Sequence, residues 1–274
     1  MAKFIAKVLL VILTIPIFIV LVLSVNIRFQ FMSPVFWLGS FEKADVYSQI
    51  SANIKSRLDS KVVADGGSIS DIEVLSNLVS AASLKTFVED NISSILTYAN
   101  GHSKEIIVSM PLPTKTLPVN LDFQEVGSLT EKLTLTEFVK EYNISGFNES
   151  DIARISKFGI WSWELLVLSF AVFVLVFVLM YLLVDSKKRM VVPGIALAIS
   201  GLVAMAIYFM GELTSSTLSV DFVGTTNLGS ALLAILAPPL IQNTIHIWIW
   251  FGISSIVLGI SLIFIKKPAY NKNR

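Results

Sequence analysis

Three ionisable side chains stand beside long hydrophobic runs: Glu164 just before one, Glu212 just after another and His246 just before a third. Two carboxylates and an imidazole can hold a cation or respond to protons, provided the runs converge at one end. The plainer reading is three interfacial polar residues facing water and lipid headgroups, and it is the favoured one. Neither reading assigns a catalytic residue, a metal-ligand set or a cofactor. His102 and His246 are the only histidines and there is no cysteine, so multi-histidine and thiolate metal sites, disulfides and cysteine nucleophiles are excluded. His102 follows Gly101 and reads as a solvated loop histidine. A phosphate-binding Gly-rich loop, an HExxH pair and a GxSxG elbow are all missing, and a serine–lysine dyad has no spacing to support it.

The elements that carry these groups are apolar. The 274 residues are 54% hydrophobic and 15% charged, with a mean hydropathy of +0.74. Soluble domains carry roughly 25% charged residues, so part of this chain avoids water. Uncharged runs of membrane-crossing length, about 20 residues, lie at 8–25, 165–184, 191–210 and 247–265. The first is longer than a signal-peptide core and lacks a small-x-small cleavage site, so it reads as a signal anchor. The lysines and arginines set the orientation. Lys3 and Lys7, the turn Lys187, Lys188 and Arg189, and the tail Lys266, Lys267, Lys272 and Arg274 flank the runs on one side, whereas residues 211–246 contain no basic residue. By the positive-inside rule both termini are cytoplasmic. Trp37, Trp161, Trp163, Trp248 and Trp250 all fall near the predicted outer boundary, as headgroup-level indoles do.

Small residues suggest how the spans pack. Gly194, Ala198 and Gly201 in the third and Ser255 and Gly259 in the fourth predict a tight contact between the two. The second span is bulky along most of its length and is expected to face lipid, with Val176 as a reference position. In the outer loop, residues 228–237 are apolar almost all round and are followed by Pro238 and Pro239. They predict a short helix at the outer interface, packed beneath the external domain.

Residues 26–160 read as that domain, with twelve basic and sixteen acidic residues between 26 and 159. A first helix is expected from Ser40 as N-cap, with Val46, Ile50, Ile54 and Leu58 as its apolar stripe. A second helical region is expected from Asp71 to Ala99, interrupted near Ser83 and stopped by Asn100 and Gly101. "KEIIVSMPLP" predicts an extended edge segment, with "VNLDF", residues 119–123, as its pairing partner. "SLTE" (128–131) and "NESD" (148–151) fit capping boxes, the second opening a helix that runs into span two. The sequons at Asn91, Asn143 and Asn148 occur about as often as chance allows.

The pattern "FEKADVYSQI", a helical stretch ending "YANG", then "IIVSMPLPTKTL", resembles uncharacterised bacterial four-span membrane proteins with a helical extracytoplasmic domain between spans one and two. The resemblance covers about half the chain and implies no activity.

The expected architecture is an all-α membrane protein, N-in and C-in. Residues 1–25 form the cytoplasmic N-terminus and first helix, 26–160 the mainly helical extracytoplasmic domain with at most a small strand pair, and 161–274 the remaining three spans, outer loop 211–246 and basic tail. The expected location is the plasma or inner membrane. The expected function is non-enzymatic, the external domain binding a partner or ligand as an envelope sensor, scaffold or accessory subunit. A channel or accessory transport subunit is the alternative, and a membrane enzyme acting on lipid or cell-wall material comes third. The spans lack internal ionisable residues, which argues against a coupled transporter. The partners are the lipid bilayer and a protein met by the external domain, with homo-oligomerisation left open. A net charge of +1 and the lack of a basic stripe exclude nucleic acid.

Overall fold

The computed structural model describes residues 2–64, 79–111, 130–141, 149–184, 189–221 and 228–265. In chain order the elements are α1 (Ala2–Val25), a π-helical segment (Asn26–Phe31), α2 (Pro34–Lys43), α3 (Val46–Ala64), α4 (Ala81–Ala99), β1 (Ile107–Pro111), β2 (Thr130–Thr134), α5 (Leu135–Glu141), α6 (Glu149–Leu183), α7 (Val191–Asp221) and α8 (Leu228–Phe264). They divide into two units. One comprises Met1–Arg28, Trp163–Ser216 and Ile241–Arg274, the other Phe29–Ser162 and Thr217–Leu240.

Four helical stretches are long and apolar enough to cross a bilayer: Ile5–Phe31, Ile152–Leu183, Val191–Ser215 and Leu232–Phe264. A helix satisfies its backbone internally, which hydrocarbon demands. The chain is therefore a multi-pass membrane protein, largely helical, with one small two-stranded sheet among the described residues.

Within the first unit α1, α6, α7 and α8 form a bundle. Phe18 and Val22 of α1, Ala204 of α7, and Ile245 and Trp248 of α8 are buried together, with Phe173 of α6 against them. A second cluster joins Val176 and Met180 of α6 to Ala196 of α7, with Leu10, Val11 and Ile17 of α1 alongside. Helices α7 and α8 touch backbone to backbone, as the small residues predict. A Cβ added to Gly201 would lie 2.6 Å from the Gly252 carbonyl oxygen, and one added to Gly194 2.6 Å from that of Gly259. The Ser255 hydroxyl donates to the Leu197 carbonyl at 2.9 Å and ties the pair. The buried hydroxyls of Thr14 and Ser24 turn back to the carbonyls of Leu10 and Val20, each at 2.7 Å, so neither needs a partner from another helix. One face of α6 stays unpacked: Val167, Leu168, Phe170, Leu175 and Leu182 are all more than half exposed, an apolar stripe suited to lipid contact. Val176 is a correction, since it is buried on the opposite face, against α7 and α1.

The second unit is built around Phe41, Val46, Tyr47 and Ile50, with Ala81, Leu84, Val88 and Ile92 of α4 packed on them. The stripe Val46, Ile50, Ile54 is confirmed; Leu58 lies outside the residues whose side chains are described. Ser40 does not cap a helix. It lies inside α2, its hydroxyl donating to the Phe36 carbonyl at 2.6 Å. The chain breaks instead at Asp45, whose φ of 51° is a left-handed conformation that Asp tolerates better than most residues. Residues 71–78 of the expected second helical region lie outside the description. Its described helix is Ala81–Ala99, capped by Ser80, which accepts from the Ser83 amide at 3.2 Å, so the chain is continuous helix through Ser83. The helix ends as predicted. Gly101 has a φ of +76°, and the amides of Gly101 and His102 return to the carbonyls of Tyr98 and Thr97, both at 2.9 Å, the Schellman pattern.

The extended segment is β1, and its antiparallel partner is β2 in the register Ile107 to Thr134 and Pro111 to Thr130. The expected partner "VNLDF" lies outside the described residues. The other edge of β1 is met by α4 side chains. Ser94 Oγ accepts from the Ile107 amide at 2.7 Å, while Asn91 accepts from the Ser109 amide at 3.1 Å and donates to the Ser109 carbonyl at 2.9 Å. The capping box is Thr134–Glu137, not Ser128–Glu131. Glu137 Oε2 accepts from the Thr134 amide at 2.9 Å and the Thr134 hydroxyl accepts from the Glu137 amide at 3.3 Å. Glu131 instead lies in β2 opposite Met110. Helix α6 runs unbroken from Glu149 through span two, as expected. Near its start Gly159 presses on the Ala99 carbonyl, where a side chain would collide.

The described residues of 211–246 are helical rather than loop. Helix α7 extends to Asp221 and α8 begins at Leu228, passing through Pro238 and Pro239. These prolines offer no N–H to the carbonyls of Ala234 and Ile235, yet the helix continues.

Candidate functional site

Tyr208 lies against both Glu212 and His246. Tyr208 and Glu212 are one turn apart on α7, and the phenol donates to Glu212 Oε1 at 3.4 Å, a long bond. His246 comes from α8, its ring centroid 6.0 Å from that of Tyr208 and tilted by 40°. The close approach depends on Gly211, where an added Cβ would lie 2.7 Å from Ile245 Cγ2. His246 is exposed and Glu212 half-buried. Glu164 lies on α6 and is exposed. Among the described residues no three of His, Cys, Asp or Glu are grouped to hold a metal ion. Around Tyr208 the described side chains are thus a carboxylate, a phenol and an imidazole, and Tyr208 is the member sequence reasoning missed. The four-residue step from Tyr208 to Glu212 was the available signal.

A second polar contact marks the same unit. The Arg28 guanidinium carbon lies 4.4 Å from the centre of the Trp163 ring, a cation–π geometry. Trp161, Trp163 and Trp250 are exposed, as indoles of an interfacial belt would be. Trp248 departs from that expectation, being buried in the bundle core, and Trp37 packs within the other unit.

In the second unit the aromatic residues form a run of edge-to-face contacts. Phe31 meets Trp37 at 5.9 Å, Trp37 meets Phe41 at 6.2 Å and Phe41 meets Tyr47 at 6.3 Å between centroids; the indole of Trp37 also donates to the Phe31 carbonyl at 2.8 Å. Such pairs contribute about 0.5–1.5 kcal/mol beyond area burial. At the end of the run the Tyr47 hydroxyl is buried and makes no hydrogen bond to a described group. Burial first, then the Glu89 and Glu42 carboxylates, push its pKa up to about 12. Lys85 bridges those carboxylates, 2.9 Å from Glu42 and 3.8 Å from Glu89. Its hydrogen bond to Glu42, followed by the charges of Glu42 and Glu89, raises its own pKa.

The same core takes in residues from much later in the chain. Leu232, Ile235, Leu236 and Leu240 of α8 pack on the Phe41–Val46–Tyr47–Ile50 cluster. The apolar stretch before Pro238 is covered in this way, but as the first part of a long helix rather than as the short interfacial helix expected. One helix therefore contributes its first half to the core of the second unit and its remainder to the bundle. No protein-family model, curated protein or solved structure matches the chain.

Proposed function

We propose that this chain is a non-enzymatic membrane protein of a bacterial envelope, N-in and C-in, whose domain between the first and second spans is extracytoplasmic and binds a partner or ligand. The observation that carries this reading is the packing of Leu232, Ile235, Leu236 and Leu240 into the core of the second unit. A domain serving only as a cap needs no membrane helix in its core. Here a helix that continues as a span is part of that core, so an event that reorders α2, α3 or α4 is felt by α8. Basic residues at 3, 7, 187–189 and 266–274 support the orientation. The alternative, a channel or accessory transport subunit, has weaker support, because Phe18, Val22, Ala204, Ile245 and Trp248 fill the bundle interior with apolar side chains.

Photo-crosslinking in native membranes tests the proposal. A photoreactive residue at exposed positions of α3 or α4, such as Ile95, is expected to capture a discrete protein or small-molecule adduct. The same residue at lipid-facing Leu168 should capture only lipid. Equal, lipid-only labelling at both positions, together with an ion current from the purified protein in liposomes, would replace this reading with the channel.

A further inference from the structure

The bundle carries a groove that neither the domain nor the boundary cluster uses. It has a volume of about 340 Å³ and lies between α6, α7 and α8, with Phe173, Phe177, Tyr181, Met190, Pro193 and Leu262 among its walls. Those walls are apolar. A charge stands beside one wall residue: the Arg189 guanidinium carbon lies 5.2 Å from the centre of the Tyr181 ring. The Arg189 Nε is buried and makes no hydrogen bond to a described group. In sequence Lys187 and Lys188 precede it, and Asp185 is the single acid of that turn, leaving an excess of positive charge.

We propose that this groove is a binding site for an anionic glycerophospholipid. One acyl chain lies along the aromatic wall, and the phosphate meets Arg189 beside the Tyr181 ring. A guanidinium stacked on an aromatic ring is pre-oriented, so it donates to a phosphate with little further loss of freedom. An acyl chain fits the remainder, because open apolar surface at membrane depth meets lipid tails and nothing else. Charge selects among lipids: a basic pocket between spans distinguishes an anionic headgroup from a zwitterionic one. The site is independent of what the other unit binds, and of which leaflet Arg189 faces.

The test is native mass spectrometry of the full chain released from detergent, with dioleoyl phosphatidylglycerol or dioleoyl phosphatidylcholine added. The wild type should hold phosphatidylglycerol about fivefold or more tighter than phosphatidylcholine, the preference expected of a single basic contact near the membrane surface. Arg189→Gln should bring phosphatidylglycerol down to the phosphatidylcholine level and leave the latter unchanged. Val178→Trp, which fills the groove from an exposed wall position, should weaken both lipids alike. Excess glycerol 3-phosphate separates a lipid site from a free-anion site: it should not displace the bound lipid. Equal affinity of the wild type for the two lipids, a preference retained in Arg189→Gln, or displacement by glycerol 3-phosphate would each overturn the proposal.

Discussion

Asn91 shows how one side chain answers two readings. In sequence it is the first residue of a sequon; in the structure both ends of its amide are occupied by Ser109 of β1, and Nδ2 also donates to the Phe87 carbonyl at 2.7 Å. A glycan on Nδ2 would remove those donations, so the residue serves the fold. Asn91→Ala should leave a strand amide and carbonyl unpaired and cost about 1–3 kcal/mol, seen as a lower midpoint in thermal unfolding of the purified protein. An unchanged midpoint would mean that water replaces the amide freely. Tyr47 makes the second residue-level prediction. Its folded pKa lies above the ordinary value, so the neutral phenol is favoured in the fold. The stability it contributes is complete below pH ~10, where the unfolded phenol is also neutral, and is lost as pH rises toward about 12. In an ultraviolet tyrosinate titration, Tyr47→Phe should remove a step near pH 12; loss of a step near the ordinary ~10 instead would refute the burial.

Elements were legible from sequence where a physical rule has one solution. Apolar runs of membrane length became helices, the small residues of α7 and α8 became a close contact, and Asn100 and Gly101 ended α4. They were illegible where one rule has two solutions. "SLTEKLTLTE" holds two boxes of the same form six residues apart, and only strand pairing at Thr130–Thr134 decides that the second one caps a helix. The Pro238–Pro239 pair reads as a stop because proline lacks a donor, yet both units pack on the helix around it, so tertiary contacts override the local rule. Within the candidate site Glu212 and His246 were found for their charge, whereas Tyr208 was passed over because a tyrosine in an apolar run carries no such signal. Two element-level tests follow. Gly201→Leu must displace the Gly252 carbonyl or Ile256, and overpacking of this kind costs about 1–3 kcal/mol. Val167→Leu, on the exposed face of α6, should change detergent stability by less than about 0.5 kcal/mol, and equal losses would count against the α7–α8 contact. Along α8, single cysteines at Leu232, Ile235, Leu236 and Leu240 should react slowly with a water-soluble maleimide and one at exposed Leu233 faster. Uniform fast labelling would show that this half of the helix is not covered.

For the molecule as a whole, sidedness is the property on which the proposed function depends, and helix lengths alone do not supply it. An even number of spans puts both termini on one side of the membrane, but charge must say which. Nine basic residues lie at 3, 7, 187–189 and in the tail from 266, against the single acid Asp185. At the opposite ends of the spans, between the last residues of α7 and the first half of α8, there is Glu212 and Asp221 and no basic residue. Each basic residue resists transfer across the membrane, and short flanks count most in setting orientation. The proposed orientation requires the long segment between spans one and two to cross despite its twelve basic residues, which long domains do, since they translocate largely independently of charge. Phosphatase or fluorescent-protein reporters fused after Asp185 and after the last residue should therefore report the cytoplasm, and one inserted at Gly101, the exposed end of α4, the outside. Replacing Lys187, Lys188 and Arg189 together with Gln should weaken that preference and yield a mixed population, because Lys3, Lys7 and the tail still favour the original orientation. A cytoplasmic signal from Gly101 in the unaltered protein would place the domain on the inner side, and with it remove the proposal that it meets an external ligand.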